Sequence, residues 1–133
     1  MSGPAPASRH TRRMDHIVDL DAVALAIRPM LDDLVDTQVG PITWRDELAP
    51  WPQPITSDRS SVGYPESLGL SLRRGDDEAE FIAWTGGWAD QAIFVAGHIV
   101  NSGPEFASVD ERVDAVRAFI KDWELALGAE ART

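Results

Sequence analysis

The segment from Glu66 to Val100 constrains the fold most, because hydrophobic and turn-forming residues recur in it with the spacing of a β-meander. Leu68, Leu70 and Leu72 alternate with serine, glycine and arginine. A period of two places all three leucines on one side of a strand. The pattern therefore predicts a first strand that buries its leucine side.

Two further strands are predicted in the same segment. The turn-forming run Gly75–Glu78 precedes Ala79–Thr85, which is rich in the aromatic and β-branched residues that strands favour. Gly86-Gly87 then indicates a two-residue hairpin loop, because tight hairpin turns need positive φ angles. Trp88–Val95 is the third strand, and Gly97–Asn101 either continues it past a bulge or forms a fourth.

The length of the first turn sets the register of the first two strands. If Gly75–Glu78 is a four-residue loop, Arg73 faces Glu80 in an opposite-charge contact. The same loop places the indole of Trp84 over Gly69, where it covers the gap left by the missing side chain.

The second turn decides which residues of the third strand are buried. With Gly86-Gly87 as the whole loop, Phe81 faces Ala92 and Ala83 faces Asp90. Asp90 then lies on the buried side, although it is close enough to the turn for water to reach it. A glycine bulge would instead shift the strand by one residue and move Asp90 to the opposite side.

These registers divide the sheet into two faces. The predicted core face collects Leu68, Leu70, Leu72, Phe81, Ala83, Ala92 and Phe94. The second face collects Ile82, Trp84, Ala89, Ile93 and Val95, diluted by Ser71, Arg73, Glu80 and Gln91. This mixed face is either covered by the N-terminal helix, which we favour, or free to bind another molecule.

Two helices are predicted outside the meander. Asp21–Asp36 has apolar residues at steps of three and four, interrupted by Pro29. The acidic residue at its start interacts favourably with the helix dipole. Ser108 opens the last helix with Glu111 three residues later, which is a capping box, and Gly128 is the expected C-cap. The stripe that should pack on the leucine face comprises Val109, Val113, Val116, Phe119, Ile120, Trp123 and Leu127. The charged residues of that helix, Arg112 among them, are assigned positions largely off the stripe.

The connection Gly40–Pro65 holds five prolines together with Trp44 and Trp51. Thr43 is expected to cap a short helical turn that ends at Leu48. The proline-rich run after it should be extended chain, and we interpret the tryptophans as a lid that folds back onto the sheet.

These elements predict an α+β fold: a three- to four-stranded antiparallel β-meander packed against a C-terminal helix, with an N-terminal helix and a Pro/Trp-rich connecting loop. Residues 1–13 lack periodicity and are expected to form a disordered tail, and residues 14–133 a single domain. No apolar run reaches the ~20 residues that a membrane helix needs.

The formal net charge is −10, and the chain has no cysteine. Such a surface repels nucleic acid and anionic membranes, and it attracts a basic protein partner. The lack of cysteine excludes disulfides and thiolate chemistry, and it fits a cytoplasmic location.

The run Trp84-Thr85-Gly86-Gly87-Trp88-Ala89-Asp90, in a hairpin followed by a capped helix, resembles small immunity proteins of bacterial polymorphic toxin systems. It is most similar to the group called TriTu, over about Leu68–Trp123. The resemblance implies a protein that binds and neutralises a toxin domain, and it implies no particular site residues.

We therefore predict an acidic protein-binding module without catalytic, cofactor-binding or metal-binding residues. The candidate contacts are aromatic anchors and steering carboxylates: Trp84, Trp51, Trp44, Asp32, Asp33 and Asp36. The alternative is a small-ligand or regulatory domain with a pocket between the sheet and the tryptophan-bearing loop. An enzyme using His98 with a carboxylate is the third possibility, and no spacing in the sequence supports it.

Overall fold

The computed structural model describes residues 18–131, so the predicted tail, residues 1–13, lies outside the described part of the chain. Along this part of the chain, six strands lie between an N-terminal and a C-terminal helix. In chain order the elements are α1 (Leu20–Asp32), β1 (Gln38–Val39), β2 (Thr43–Asp46), β3 (Pro65–Arg74), β4 (Asp77–Trp84), β5 (Trp88–Val95), β6 (His98–Ser102) and α2 (Val109–Ala131). A 3-10 turn, Arg59–Ser61, lies between β2 and β3.

The strands form one antiparallel sheet in the order β1-β3-β4-β5-β6, and β2 pairs with the remaining part of the β3 edge. The predicted α+β fold is confirmed, with β6 as the fourth strand of the meander. The sheet has more strands than predicted, because the prediction did not include β1 and β2. β1 lies just before the proline-rich connection, and β2 lies within it. The expected helical turn from Thr43 to Leu48 is wrong: Thr43 and Trp44 pair with Gly69 and Leu68 of β3.

The first hairpin has a shorter turn than predicted. β3 ends at Arg74 and β4 begins at Asp77, so Gly75, with φ of +61°, and one more residue make the turn. The strands are displaced by two residues from the predicted register, and Arg73 faces Glu78 instead of Glu80. A two-residue displacement keeps every side chain on its predicted face, because the side-chain period of a strand is two.

Gly69 has a different neighbour from the one predicted. It lies opposite Ile82, not under Trp84. A side chain at Gly69 would instead meet the hydroxyl of Thr43, so this glycine allows β2 to approach β3 closely.

The second hairpin has a longer turn than predicted, and this difference affects the burial of side chains more than the one at the first hairpin. Trp84 pairs with Trp88 across a three-residue loop, in which Gly87 has φ of +107°. The predicted register is off by one residue, and Asp90 faces Ile82 on the exposed side, as the glycine-bulge alternative predicted. That arrangement avoids burying an unpaired carboxylate, which would cost several kcal/mol.

The one-residue shift exchanges the faces of the whole of β5. Ala92 and Phe94, predicted to be core, lie on the open side, and Phe94 is 39% exposed. Ala89, Ile93 and Val95, predicted to lie on the second face, are buried instead. The leucines of β3 and the aromatic ring of Phe81 are buried as predicted.

Both helices pack on the leucine side of the sheet. α1 contacts α2 and β3, and α2 contacts β4 and β5. The rings of Phe81 and Phe119 lie 5.4 Å apart at the centre of this layer. The expectation that the N-terminal helix covers the second face is therefore wrong, because the apolar stripe of α1 packs beside α2 on the leucine side.

The helix boundaries differ from prediction mainly at the C-terminal ends. Asp19 caps α1 by accepting hydrogen bonds from Asp21 N (3.0 Å) and Ala22 N (3.2 Å), and the helix ends at Asp32, not Asp36. In α2 the predicted cap at Ser108 is confirmed, since its Oγ accepts from Glu111 N at 3.1 Å. The predicted stop at Gly128 is wrong. The helix continues to Ala131.

One carboxylate holds the two ends of the long β2–β3 connection together. Asp46 accepts hydrogen bonds from the N–H groups of Leu48 (3.0 Å), Gly63 (2.9 Å) and Tyr64 (3.2 Å). Partial burial acts to raise the pKa of Asp46, but these three N–H groups and the positive charge of Arg59 together outweigh it and leave the pKa below its usual 3.8.

We expect Asp46→Ala to lower the free energy of unfolding by about 1–2 kcal/mol, because three N–H groups lose their acceptor. In the wild type the same stabilisation should be complete above pH 3.8 and should disappear as the pH falls through the lowered pKa. Urea unfolding measures the first effect, and amide exchange of Gly63 follows the second. Asp33→Ala, at an exposed position, is the control. An equal effect of both substitutions would contradict this role.

Candidate functional site

The face of the sheet opposite the helices, here called the outer face, is not covered by either of them. Its centre follows from the alternation in β3. The leucines point to the core, so Ser67, Gly69 and Ser71 point outward, although Ser67 is only 3% exposed. Because Gly69 and Ser71 are small, they leave a shallow trough along this part of β3.

At one end the trough widens into a groove with a volume of about 810 Å³. Its apolar part is contributed by Phe94, by Ile99, which is 60% exposed, and by the short side chain of Ala92. The other lining residues are Gln38, Val39, Gly40, Ser71, Leu72, Arg73, Glu78, Ala79 and Glu80. Glu78 pairs with Arg73 at 3.2 Å, which leaves Glu80 as the carboxylate of the groove for which no basic partner is seen among the described residues.

At the other end the outer face carries an aromatic cluster. The rings of Trp84 and Trp88 stack with centroids 6.2 Å apart, and the Arg45 guanidinium lies 5.7 Å from the Trp84 ring. Trp84 Nε1 donates a hydrogen bond to Asp90 Oδ2 at 3.0 Å. The cluster therefore presents indole surface with its polar groups already oriented, which is typical of aromatic anchors at interfaces.

A buried arginine lies behind this cluster, and the sequence reasoning missed it. Arg112 has no exposed surface; its Nη2 donates to Trp84 O at 2.7 Å, and its guanidinium carbon lies 3.4 Å from the Phe106 ring centroid. Its Nε and Nη1 have no hydrogen-bond partner within the described part of the chain. Burial lowers the pKa of Arg112 to about 9, so it remains charged at neutral pH. The missed signal is its spacing: position 112 is four residues before Val116, on the buried stripe.

The three tryptophans proposed as contacts do not lie together. Trp44 is only 3% exposed, because its partner Leu68 belongs to the core face, and Trp51 is 51% exposed in the β2–β3 connection. Trp84 is half-buried on the outer face. None of the described pockets is lined by all three. A cleft of about 180 Å³ between Ile55 and the sheet does include Trp44.

The three aspartates proposed as contacts are exposed and lie apart from Trp84. Asp32 ends α1 and Asp33 follows it, and Asp36 lies two residues before the first residue of β1. β1 pairs with Arg73, whereas Trp84 pairs with Ser67 of the same strand. Six residues of extended chain separate these positions by roughly 20 Å. The acids therefore neighbour the groove end of the outer face, not the aromatic end.

Histidine and metal chemistry have little geometric support in residues 18–131. His98 is exposed on β6, and no group of three or more His, Asp or Glu residues in this range could hold a metal ion. Across the same residues, no helix is long and apolar enough to cross a bilayer.

No family model, curated protein or solved structure matches the chain significantly. The likeness of the Trp84–Asp90 hairpin to immunity proteins therefore stays a prediction, and the functional argument depends on the residues of the outer face.

Proposed function

We propose that this chain is a protein-binding module that uses its outer face to bind a basic protein, in the manner of an immunity protein that blocks a toxin domain. The observation that carries the proposal is a sheet face left open by both helices, with exposed Phe94 and Ile99 at one end and a Trp84–Trp88 stack at the other. Exposed aromatic and aliphatic groups on an uncovered sheet face are typical of interaction sites.

The size of the outer face suits such a role. The six strands contain 37 residues, which at about 3.3 Å per residue and about 4.8 Å between neighbouring strands cover roughly 600 Å². A standard interface buries about 800 Å² per partner, so the outer face and its rim supply most of what a specific complex needs. Its aromatic groups are of the types that dominate binding free energy at interfaces.

Charge complements this surface. The net charge of −10 favours encounter with a cationic partner, and Asp32, Asp33 and Asp36 are exposed next to the groove end. The mechanism is stoichiometric: the partner's active surface is covered, and no bond is made or broken.

A small-ligand role is the weaker candidate. The cleft between Ile55 and the sheet holds about 180 Å³, whereas ligand pockets generally hold about 300 Å³ or more. The larger groove lies on the sheet surface, where a protein segment fits its shape better than an enclosed small molecule does.

The test is binding to the toxin-domain product of the adjacent gene. We expect a tight one-to-one complex by calorimetry, and protection of growth when the two proteins are expressed together. Phe94→Lys should weaken binding by roughly 30-fold or more, about 2 kcal/mol, because it places a cation in the apolar part of the groove.

Leu25→Lys is the matched control, since Leu25 is 74% exposed on α1, in the other layer of the fold. It should leave binding unchanged within experimental error. The proposal fails if no toxin domain is encoded nearby and no complex forms, or if both lysine variants bind equally well.

A further inference from the structure

The β6 strand, His98–Ser102, lies at the edge of the sheet, and only β5 pairs with it among the described residues. All five of its residues are exposed. The opposite edge differs, because β1 and β2 both lie against β3 there. β6 therefore offers a row of backbone N–H and C=O groups to another chain.

The register identifies the groups that point outward. β5 and β6 are joined by a two-residue turn, Ala96-Gly97, with φ of 53° and 82°, and the flanking Val95 and His98 form a hydrogen-bonded pair in such a turn. The same alternation continues further on, where Ala89 N donates to Pro104 O at 3.0 Å. The backbone groups of the alternate residues, Ile99 and Asn101, therefore face away from β5.

The edge lacks the features that protect edge strands in monomers. Residues 98–102 contain no Lys, Arg, Asp, Glu or Pro, and their pairing with β5 has no bulge. Ile99 is 60% and Val100 64% exposed, and successive residues point to opposite faces of the sheet. An added strand would thus find an apolar contact on each face, and Ile99 also lines the groove beside Phe94.

The charges around this edge indicate the chemistry of the added strand. Residues 88–106 contain Asp90 and Glu105 and no Lys or Arg. At the turn end, Asp77 accepts a hydrogen bond from Ala96 N at 3.0 Å. The edge is therefore uncharged along its length with carboxylates towards both ends, which suits an extended segment with cationic residues better than a second copy of this acidic chain.

We propose that β6 receives an extended cationic segment of the protein partner as an additional strand of the sheet. The inference depends on the proposed function, because it specifies how a basic partner engages the groove end of the outer face. Backbone hydrogen bonds to Ile99 and Asn101 supply affinity, and the groove beside Phe94 takes one side chain of the segment.

Asn101→Pro tests the inference, because it removes an outward N–H and leaves the bonds between β5 and β6 in place. Asn101→Ala retains that N–H and is the matched control. The probe is a capped peptide of about ten residues in which lysine and valine alternate, compared with one in which glutamate and valine alternate. We expect the lysine peptide to slow amide exchange at Ile99 and Asn101 in the wild type, and at Ile99 in Asn101→Ala, by about tenfold or more.

The glutamate peptide should have no such effect, and Asn101→Pro should lose the response at Ile99. Equal slowing of Ile99 in Asn101→Pro, or no slowing in the wild type, would overturn the inference. Sedimentation gives a second criterion: a dimer that Asn101→Pro converts to monomers would show that the occupant is another copy of this chain. If Asn101→Pro binds the toxin domain as tightly as wild type while Phe94→Lys does not, strand addition is wrong and the proposed function stands.

Discussion

Replacing Trp123 with alanine is expected to lower the free energy of unfolding by about 3–5 kcal/mol, the largest effect that we predict for a single substitution. Trp123 is completely buried between α2 and the sheet, and it is the largest of the fully buried side chains. Its Nε1 also donates to Thr37 Oγ1 at 3.1 Å, which ties α2 to the connection between α1 and β1. The substitution removes both the packing and the hydrogen bond, and the surrounding side chains can fill only part of the cavity.

Leu125→Ala is the control, because Leu125 lies in the same helix and is 61% exposed. It should change the free energy of unfolding by no more than about 0.5 kcal/mol. Urea denaturation followed by circular dichroism measures both variants. A loss below about 1.5 kcal/mol for Trp123→Ala would show that α2 does not fill the leucine face as the structure has it.

Arg112→Met is expected to raise the free energy of unfolding at pH 7 by about 1–3 kcal/mol. The guanidinium is charged, fully buried and without a described partner at Nε and Nη1. Methionine fills a similar volume beside Phe106 without burying a charge. The lost hydrogen bond to Trp84 O and the lost contact with the Phe106 ring oppose the gain. Desolvation of a whole charge exceeds these two contributions.

The difference in free energy of unfolding between Arg112→Met and the wild type should decrease as the pH rises above 9. Above the folded-state pKa of about 9, the unfolded state binds more protons at Arg112, because the pKa of this group is higher in the unfolded chain, so wild-type stability increases with pH. Denaturation at pH 7 and pH 10 tests this dependence. Arg117→Met is the control, since Arg117 is exposed and paired with Asp114 at 2.7 Å. A destabilised Arg112→Met variant would mean that the arginine is held by contacts stronger than those described.

The Arg112 variant also bears on function. Arg112 is bonded to the backbone at Trp84, so it helps to position the aromatic end of the outer face. If stability rises and binding to a basic partner falls, the buried charge is retained for the site and not for the fold.

Several features of the fold could be predicted from local patterns. The leucines of β3, the stripes of α1 and α2 and the Ser108 cap depend on residues a few positions apart, and each is found as predicted, except that Arg112 also belongs to the buried stripe of α2. Such patterns arise from the geometry of a single helix or strand, so they can be recognised before the partners of that element are known.

The lengths of the turns were harder to predict. Whether Thr85 belongs to β4 or to the loop changes the length of the loop by one residue. This one-residue difference decides whether Phe94 or Ile93 is buried. No local preference separates the two registers strongly. The cost of burying Asp90 depends on what packs over β5, and that is known only when the helices are placed.

The sequence alone determined the two helices, the strands of the meander, their order and the side of β3 that is buried, because these follow from periodicity along one chain segment. Only the tertiary structure decided that both helices share one face, that Arg112 is enclosed while Trp84 remains accessible, and that β6 ends the sheet as an open edge. These outcomes depend on competition between segments far apart in sequence for the same apolar surface. A site made of uncovered surface is therefore defined by where the rest of the chain does not pack.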